Sequence, residues 1–207
     1  MGNGAENRDA QAVFYRSPHE FSAFTFDQFP LLDERFYDDT AHALEQMGFR
    51  LFHDMRDVTV SEATGIAQCG RVMGNSSGVA RAVIFHLRVT GWKRWVALFR
   101  GVPRDIRAVQ FLTELEDARF IMTNNAAQAP VGGPFPATWV PERHPRSIGL
   151  EQLYVRHLER VDESLGVPVK IQRPGDAFAS YDRQWEQAAA FWSTHVERLS
   201  QVEVVDA

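Results

Sequence analysis

The sequence predicts an α+β domain: an antiparallel β-meander of four to six strands with three main helices packed mainly on one face. Two observations carry this expectation. Apolar residues recur at three- and four-residue spacing in three long stretches, as in amphipathic helices. Between the first and second of these the period shortens to two, and short turn signals join neighbouring runs, as in antiparallel strands.

Residues 1–12 read as a polar, disordered tail, and residues 13–207 as one domain. An aromatic arm, 13–30, holds six aromatic residues in "VFYRSPHEFSAFTFDQFP" and has no helical period. The first helix lies in "LLDERFYDDTAHALEQMG", with Leu32, Phe36, Ala43, Leu44 and Met47 at helical spacing and Gly48 as its stop. Glu34, Asp38 and His42 make a carboxylate–carboxylate–His stripe on it, a pattern far more common on a solvated helix face than at a metal.

After Gly48, "FRLFHDM" predicts a strand, "DVTV" a second, and the Gly- and Ser-rich residues 61–79 a loop or loose crossover. "ARAVIFHLRV" and "RWVALFRGV" predict a hairpin closed by Thr90-Gly91-Trp92-Lys93. Both faces of that hairpin carry large apolar residues, so its second face should be covered as well. "FLTELEDARFIMTNN" predicts the next hairpin. With a turn at Asp117-Ala118, Leu115 opposes Phe120, Thr113 opposes Met122 and Phe111 opposes Asn124. Glu114, Leu112 and Gln110 then share the other face with Ile121, Thr123 and Asn125. Asp-Ala is a poor turn, because alanine resists positive φ.

Residues 126–146 contain five prolines and two glycines and read as a long loop. The second helix follows, with Ser147 as its N-cap, Gly166 as its stop, and Leu150, Leu153, Tyr154, Leu158, Val161 and Leu165 near one face. The C-terminal helix, 176–200, has Asp176 as its cap and an aromatic stripe of Phe178, Tyr181, Trp185 and Trp192, continued by Val196 and Leu199. Helical periodicity makes that stripe core rather than a ligand box.

Composition narrows the function classes. Of 207 residues, 44% are hydrophobic and 12% aromatic, enough for a full core. The net charge is −5 without a basic tract, which argues against nucleic acid as a partner; a reading through Arg88, Arg94, Arg100, Arg104 and Arg107 remains. The single cysteine, Cys69, permits no intrachain disulfide and fits a reducing, cytoplasmic compartment. No apolar run is long enough to span a bilayer, and the start, "MGNGAENRDAQ", has no secretory h-region.

Catalytic motifs fail one by one. Gly65 and Gly70 have phosphate-loop spacing, but Arg71-Val72 stands where Lys and then Ser or Thr are needed. There is no G-x-S-x-G, no C-x-x-C and no H-E-x-x-H, so no catalytic residue, metal or cofactor is assigned. The best remaining ligand-binding group is a mixed sheet face with His86, Arg88, Gln110, Glu114, Thr123 and Asn125. A His near a Glu can move a proton, and an Arg can hold an anion. The aromatic residues Phe21, Phe24, Phe26, Phe135 and Trp139 are candidates for an interface. The leading expectation is thus a soluble, non-enzymatic binding or protein-interaction module, with a protein partner or self-association as a homodimer. The alternative is a small enzyme or small-molecule binder around His86, Arg88 and Glu114.

Overall fold

The structure, a computed structural model, describes residues 19–64, 66–89, 105–126, 135–164 and 166–205. The expected tail at 1–12, the start of the arm and the expected strand at 94–102 lie outside the described residues. The class is α+β, as the periodicities predict, and among the described residues the sheet has seven strands rather than four to six. They are β1 (Phe21–Ala23), β2 (Phe49–Asp57), β3 (Ile66–Asn75), β4 (Arg81–Val89), β5 (Asp105–Glu114), β6 (Phe120–Asn124) and β7 (Trp139–Arg143). Their spatial order is their chain order. Pairing is antiparallel from β1 to β6, and β7 runs parallel to β6.

Among the described residues four α-helices accompany the sheet: α1 (Glu34–Gln46), α2 (Val58–Thr64), α3 (Leu150–Glu163) and α4 (Ala177–Val205). Asp33 caps α1 through its carboxylate, which accepts the Phe36 N–H. Gly48 and Gly166 adopt positive φ just beyond α1 and α3, where the sequence places helix stops. None of the described helices is long and apolar enough to cross a membrane.

Two of the three long helices share one face of the sheet. Tyr37, Ala41 and Leu44 of α1 and Leu153 of α3 pack there on Cys69, Met73, Ala82, Ile84, Val109 and Phe111. The third, α4, covers the opposite face. Trp185 and Ala188 meet Leu112, Phe120, Met122 and Trp139, while Ala177 meets Met55 and Val72. The second face that the sequence requires to be covered is covered by this helix.

Three local expectations need correction. Residues 61–79 are not a loop: β3 fills their middle, paired on both sides. Its glycines mislead the reading because they serve close packing. The Phe52 ring lies over Gly74 where a Cβ would stand, and a Cβ on Gly70 would meet Val83 at 3.3 Å. Second, "DVTV" is no strand. Asp57 ends β2 and its Oδ1 accepts the Val60 N–H, opening α2. Third, β4 has β3 on one edge and β5 on the other, so the strand beside it toward the C-terminus is 105–114. The long loop also contains β7, an edge strand that tolerates Pro141.

The hairpin of "FLTELEDARFIMTNN" forms, but in a register one residue away from the expected one. Glu114 pairs with Phe120, Leu112 with Met122, Phe111 with Thr123 and Gln110 with Asn124. The turn explains the slip. Ala118 donates to the Leu115 carbonyl, Leu115 donates to the Arg119 carbonyl, and Ala118 takes φ +65. A turn with one extra residue in the left-handed region replaces the two-residue turn. Because side chains alternate, this slip re-pairs every residue across the hairpin with one of the opposite set.

Candidate apolar ligand cavity

Strand alternation sends Val83, Phe85 and Leu87 of β4 and Gln110 of β5 toward the α4 face. There they form the floor of a cavity of about 220 Å³ between sheet and α4. Phe21 and Met55 close one side, Met122 and Phe135 another, and Tyr181, Gln184 and Trp185 of α4 lie across it. Gln68, Gln110, Asn124 and Gln184 add amides, and Asp57 and Arg143 charged groups, to a mostly apolar wall. The volume exceeds that of the roughly 150 Å³ apolar cavities that admit benzene.

Two charged groups fix the cavity's frame. Asp57 lies on its wall with both oxygens engaged: Oδ1 by the Val60 N–H and Oδ2 by His19 Nδ1 at 2.7 Å. The His19 ring stacks on Trp185 with centroids 4.1 Å apart, tying the arm to α4. Beyond the cavity, the buried Glu114 holds α4 to the sheet. It accepts two hydrogen bonds from Arg183 at 2.8 Å and one from Ser180 at 2.6 Å, and Lys170 lies 3.3 Å away. Burial alone would raise this carboxyl. The Arg183 and Ser180 hydrogen bonds and the Arg183 charge outweigh it and hold the group at about 2. The fully buried Arg81 completes the anchor by donating to Ser180 Oγ and to the Ala177 carbonyl.

The structure divides the six residues expected to share a ligand-binding face. Gln110 and Glu114 face α4, whereas His86, Arg88 and Thr123 face α1 and α3. Only Gln110 lines the cavity. His86 Nδ1 accepts the Asp33 N–H at 3.1 Å, and its Nε2 is 2.8 Å from Asp105 but poorly aligned for a hydrogen bond. Burial keeps the imidazole below its ordinary value, against the pull of Asp105. Arg107 joins Asp33 to Asp105, and Arg88 donates to the Leu31 carbonyl. These groups hold the start of α1 onto the sheet. Asn125 accepts the Val109 N–H through its side chain and closes the end of β6.

Thr123 belongs to a second network that the apolar pattern conceals. The buried stripe of α3 is Leu153, His157 and Arg160, so two of its three residues are polar. Arg160 donates to Thr123 Oγ1 at 2.8 Å. Thr123 contacts His157 Nδ1 at 3.1 Å, His157 Nε2 contacts Thr113 Oγ1 at 2.9 Å, and Thr113 donates to the Val79 carbonyl. One tautomer satisfies the whole chain: His157 donates from Nε2 and accepts at Nδ1. Burial and then the Arg160 charge push His157 down to about 3. Both its nitrogens are committed, so it holds structure and has no free site for proton transfer.

Nor do the expected interface aromatics form an outward patch. Phe24 and Trp139 are buried, Phe26 packs on the α1 core, and Phe21 and Phe135 pack on the clusters under α4. Cys69 is buried and its thiol is pushed up to about 12 by burial, which removes it as a nucleophile. Among the described residues, no three His, Cys, Asp or Glu side chains cluster as metal ligands. No family model matches the chain, and no curated protein or solved structure matches it either.

Proposed function

We propose that this chain is a non-enzymatic binding module whose ligand is a small, mostly apolar molecule held between the sheet and α4. The cavity carries this reading: it is a wide, half-open, mostly apolar pocket edged by a few amides and two charged groups. The groups that sequence alone offers for catalysis or partner docking support it by exclusion. His86 and His157 are engaged in fold networks, Glu114 anchors α4, and the described aromatic residues of the arm, Phe21, Phe24, Phe26 and Phe29, pack on their own chain.

Thermal unfolding with and without p-xylene tests this. A ligand that binds only the folded state raises the midpoint in proportion to RT ln(1 + [L]/Kd). Wild-type protein should show a midpoint that climbs with p-xylene concentration. Val83→Phe, which places a ring on the cavity floor, should abolish the climb. A flat wild-type midpoint, or an equal climb in Val83→Phe, overturns the proposal.

A further inference from the structure

Tyr181 of α4 lies on the cavity wall between Phe21, with ring centroids 5.8 Å apart, and the buried Arg81, whose guanidinium carbon is 5.2 Å from the Tyr181 centroid. Buried tyrosines ordinarily find a partner for the hydroxyl. Among the described residues this one has none. Nor is it sealed in: Gln184 Oε1 and Trp139 Nε1 are fully enclosed and unpaired, whereas the half-buried Tyr181 keeps open surface at its hydroxyl. Yet the group lies deep, and burial pushes the phenol up to about 12 against the Arg81 charge. A hydroxyl both deep and open faces an internal space, and the space that Tyr181 lines is the cavity. Several other polar groups of the wall are already engaged. Both Asp57 oxygens have partners, the Asn124 carbonyl takes the Ala126 N–H, and Gln184 Nε2 donates to Met122 Sδ.

A phenol can donate or accept, but its oxygen shares a lone pair with the ring and accepts weakly. The Arg81 cation over the ring draws electron density further and favours the donor role. From this we infer that the cavity selects a compact ring compound bearing one acceptor oxygen, of the aryl ketone class, whose carbonyl accepts the Tyr181 O–H while the ring lies over Val83 and Phe85. This assignment depends on the cavity being a ligand seat and adds the polar group of its ligand. A site with a waiting donor discriminates against the analogue that lacks the acceptor. The volume suits a single ring with one short substituent.

Acetophenone and α-methylstyrene have nearly the same shape and differ by C=O against C=CH2. Calorimetric titration of wild type and of Tyr181→Phe, which keeps the ring and removes the hydroxyl, should show acetophenone weakened about tenfold and α-methylstyrene changed by less than about threefold. The infrared C=O stretch of bound acetophenone should lie lower in wild type than in Tyr181→Phe, a readout that packing alone does not move. If the substitution affects both ligands equally, or the stretch is the same in both proteins, the Tyr181 assignment is overturned while the cavity stands as a seat. If neither ligand binds wild type but p-xylene does, the ketone class is overturned. If p-xylene fails as well, the proposed function falls with it.

Discussion

The two faces of the sheet solve the burial of polar groups in opposite ways. On the α1 and α3 face, Arg160, Thr123, His157, Thr113 and the Val79 carbonyl form one directed chain in which each donor has an acceptor. The space around it is filled by Tyr37, Leu44, Phe49 and Phe111, all essentially inaccessible. On the α4 face, polar groups gather at the Glu114 anchor and the Asp57–His19 pair, and beside them the packing opens into a cavity. Satisfied polar networks rigidify a core, and an unfilled chamber lowers the local cost of accepting a guest. The difference separates the half of the molecule that holds the fold from the half that has room to bind.

The sharpest way to break the contrast is to remove the anchor. Glu114→Ala leaves the buried Arg81 beside a gap and takes the carboxylate from Arg183, whose side chain is 36% exposed, and losing hydrogen bonds to a charged group costs about 1.5–3 kcal/mol. Urea unfolding should show a loss of this size. A loss below 1 kcal/mol would mean that α4 is held by its apolar contacts alone.

The α1 and α3 face makes its own prediction through pH. His157 stays neutral in the folded chain down to about 3, whereas the unfolded chain's histidine takes up a proton near 6.5. The unfolded state therefore binds more protons in that window. The stability contribution is present above about pH 6.5 and is lost as pH falls, at up to about 1.4 kcal/mol per unit. Glu114 adds a loss in the same direction only below its ordinary 4.5, so pH 6.5 to 4.5 is the range to read. His86 contributes to both proteins and cancels in a comparison of wild type with His157→Gln. The variant should show the shallower slope. Parallel slopes would show that His157 accepts a proton within the fold.

Adjacent residues of β4 test the packing difference directly. Val83 faces the cavity and Ile84 faces the filled core. Val83→Phe should be neutral or stabilise by about 1 kcal/mol, as cavity filling does. Ile84→Phe should destabilise by about 1–3 kcal/mol, because overpacking forces neighbours off their rotamers. Equal effects at the two positions would place the cavity and the core at the same density.

Much of the fold was legible because its signals are local. The spacing of Leu32, Phe36, Ala43, Leu44 and Met47 and the stop at Gly48 mark α1, and the alternation of "ARAVIFHLRV" marks β4. The site was not legible, for three physical reasons. The glycines of β3 look like loop residues until Phe52 and Val83 are seen packed against them. The buried stripe of α3 uses His157 and Arg160, which a count of apolar residues places outside. The aromatic stripe of α4 was expected to be core; Trp185 and Trp192 are packed there, while Tyr181 and Trp185 also line a chamber. Periodicity tells which side of a helix faces inward, not whether the inside is full.

The smallest predicted effect concerns the turn that assigns residues to faces. Ala118 stands at φ +65, a conformation that costs a residue with a Cβ about 1–2 kcal/mol. Its side chain is exposed, so a change there alters the backbone preference and little else. Ala118→Gly removes the Cβ strain, and part of the gain is offset by the greater freedom of glycine in the unfolded chain. The net should be a stabilisation of about 1 kcal/mol. Ala118→Val should lose about as much, because β-branched residues resist positive φ most. Denaturant midpoints of the three proteins should therefore order as Gly, Ala, Val. The reverse order would show that residue 118 does not take positive φ, so that the turn and its register differ from those described. In a register shifted by one residue Thr123 would pair with Leu112 instead of Phe111, and the hydroxyl that links Arg160 to His157 would be drawn off the α3 face.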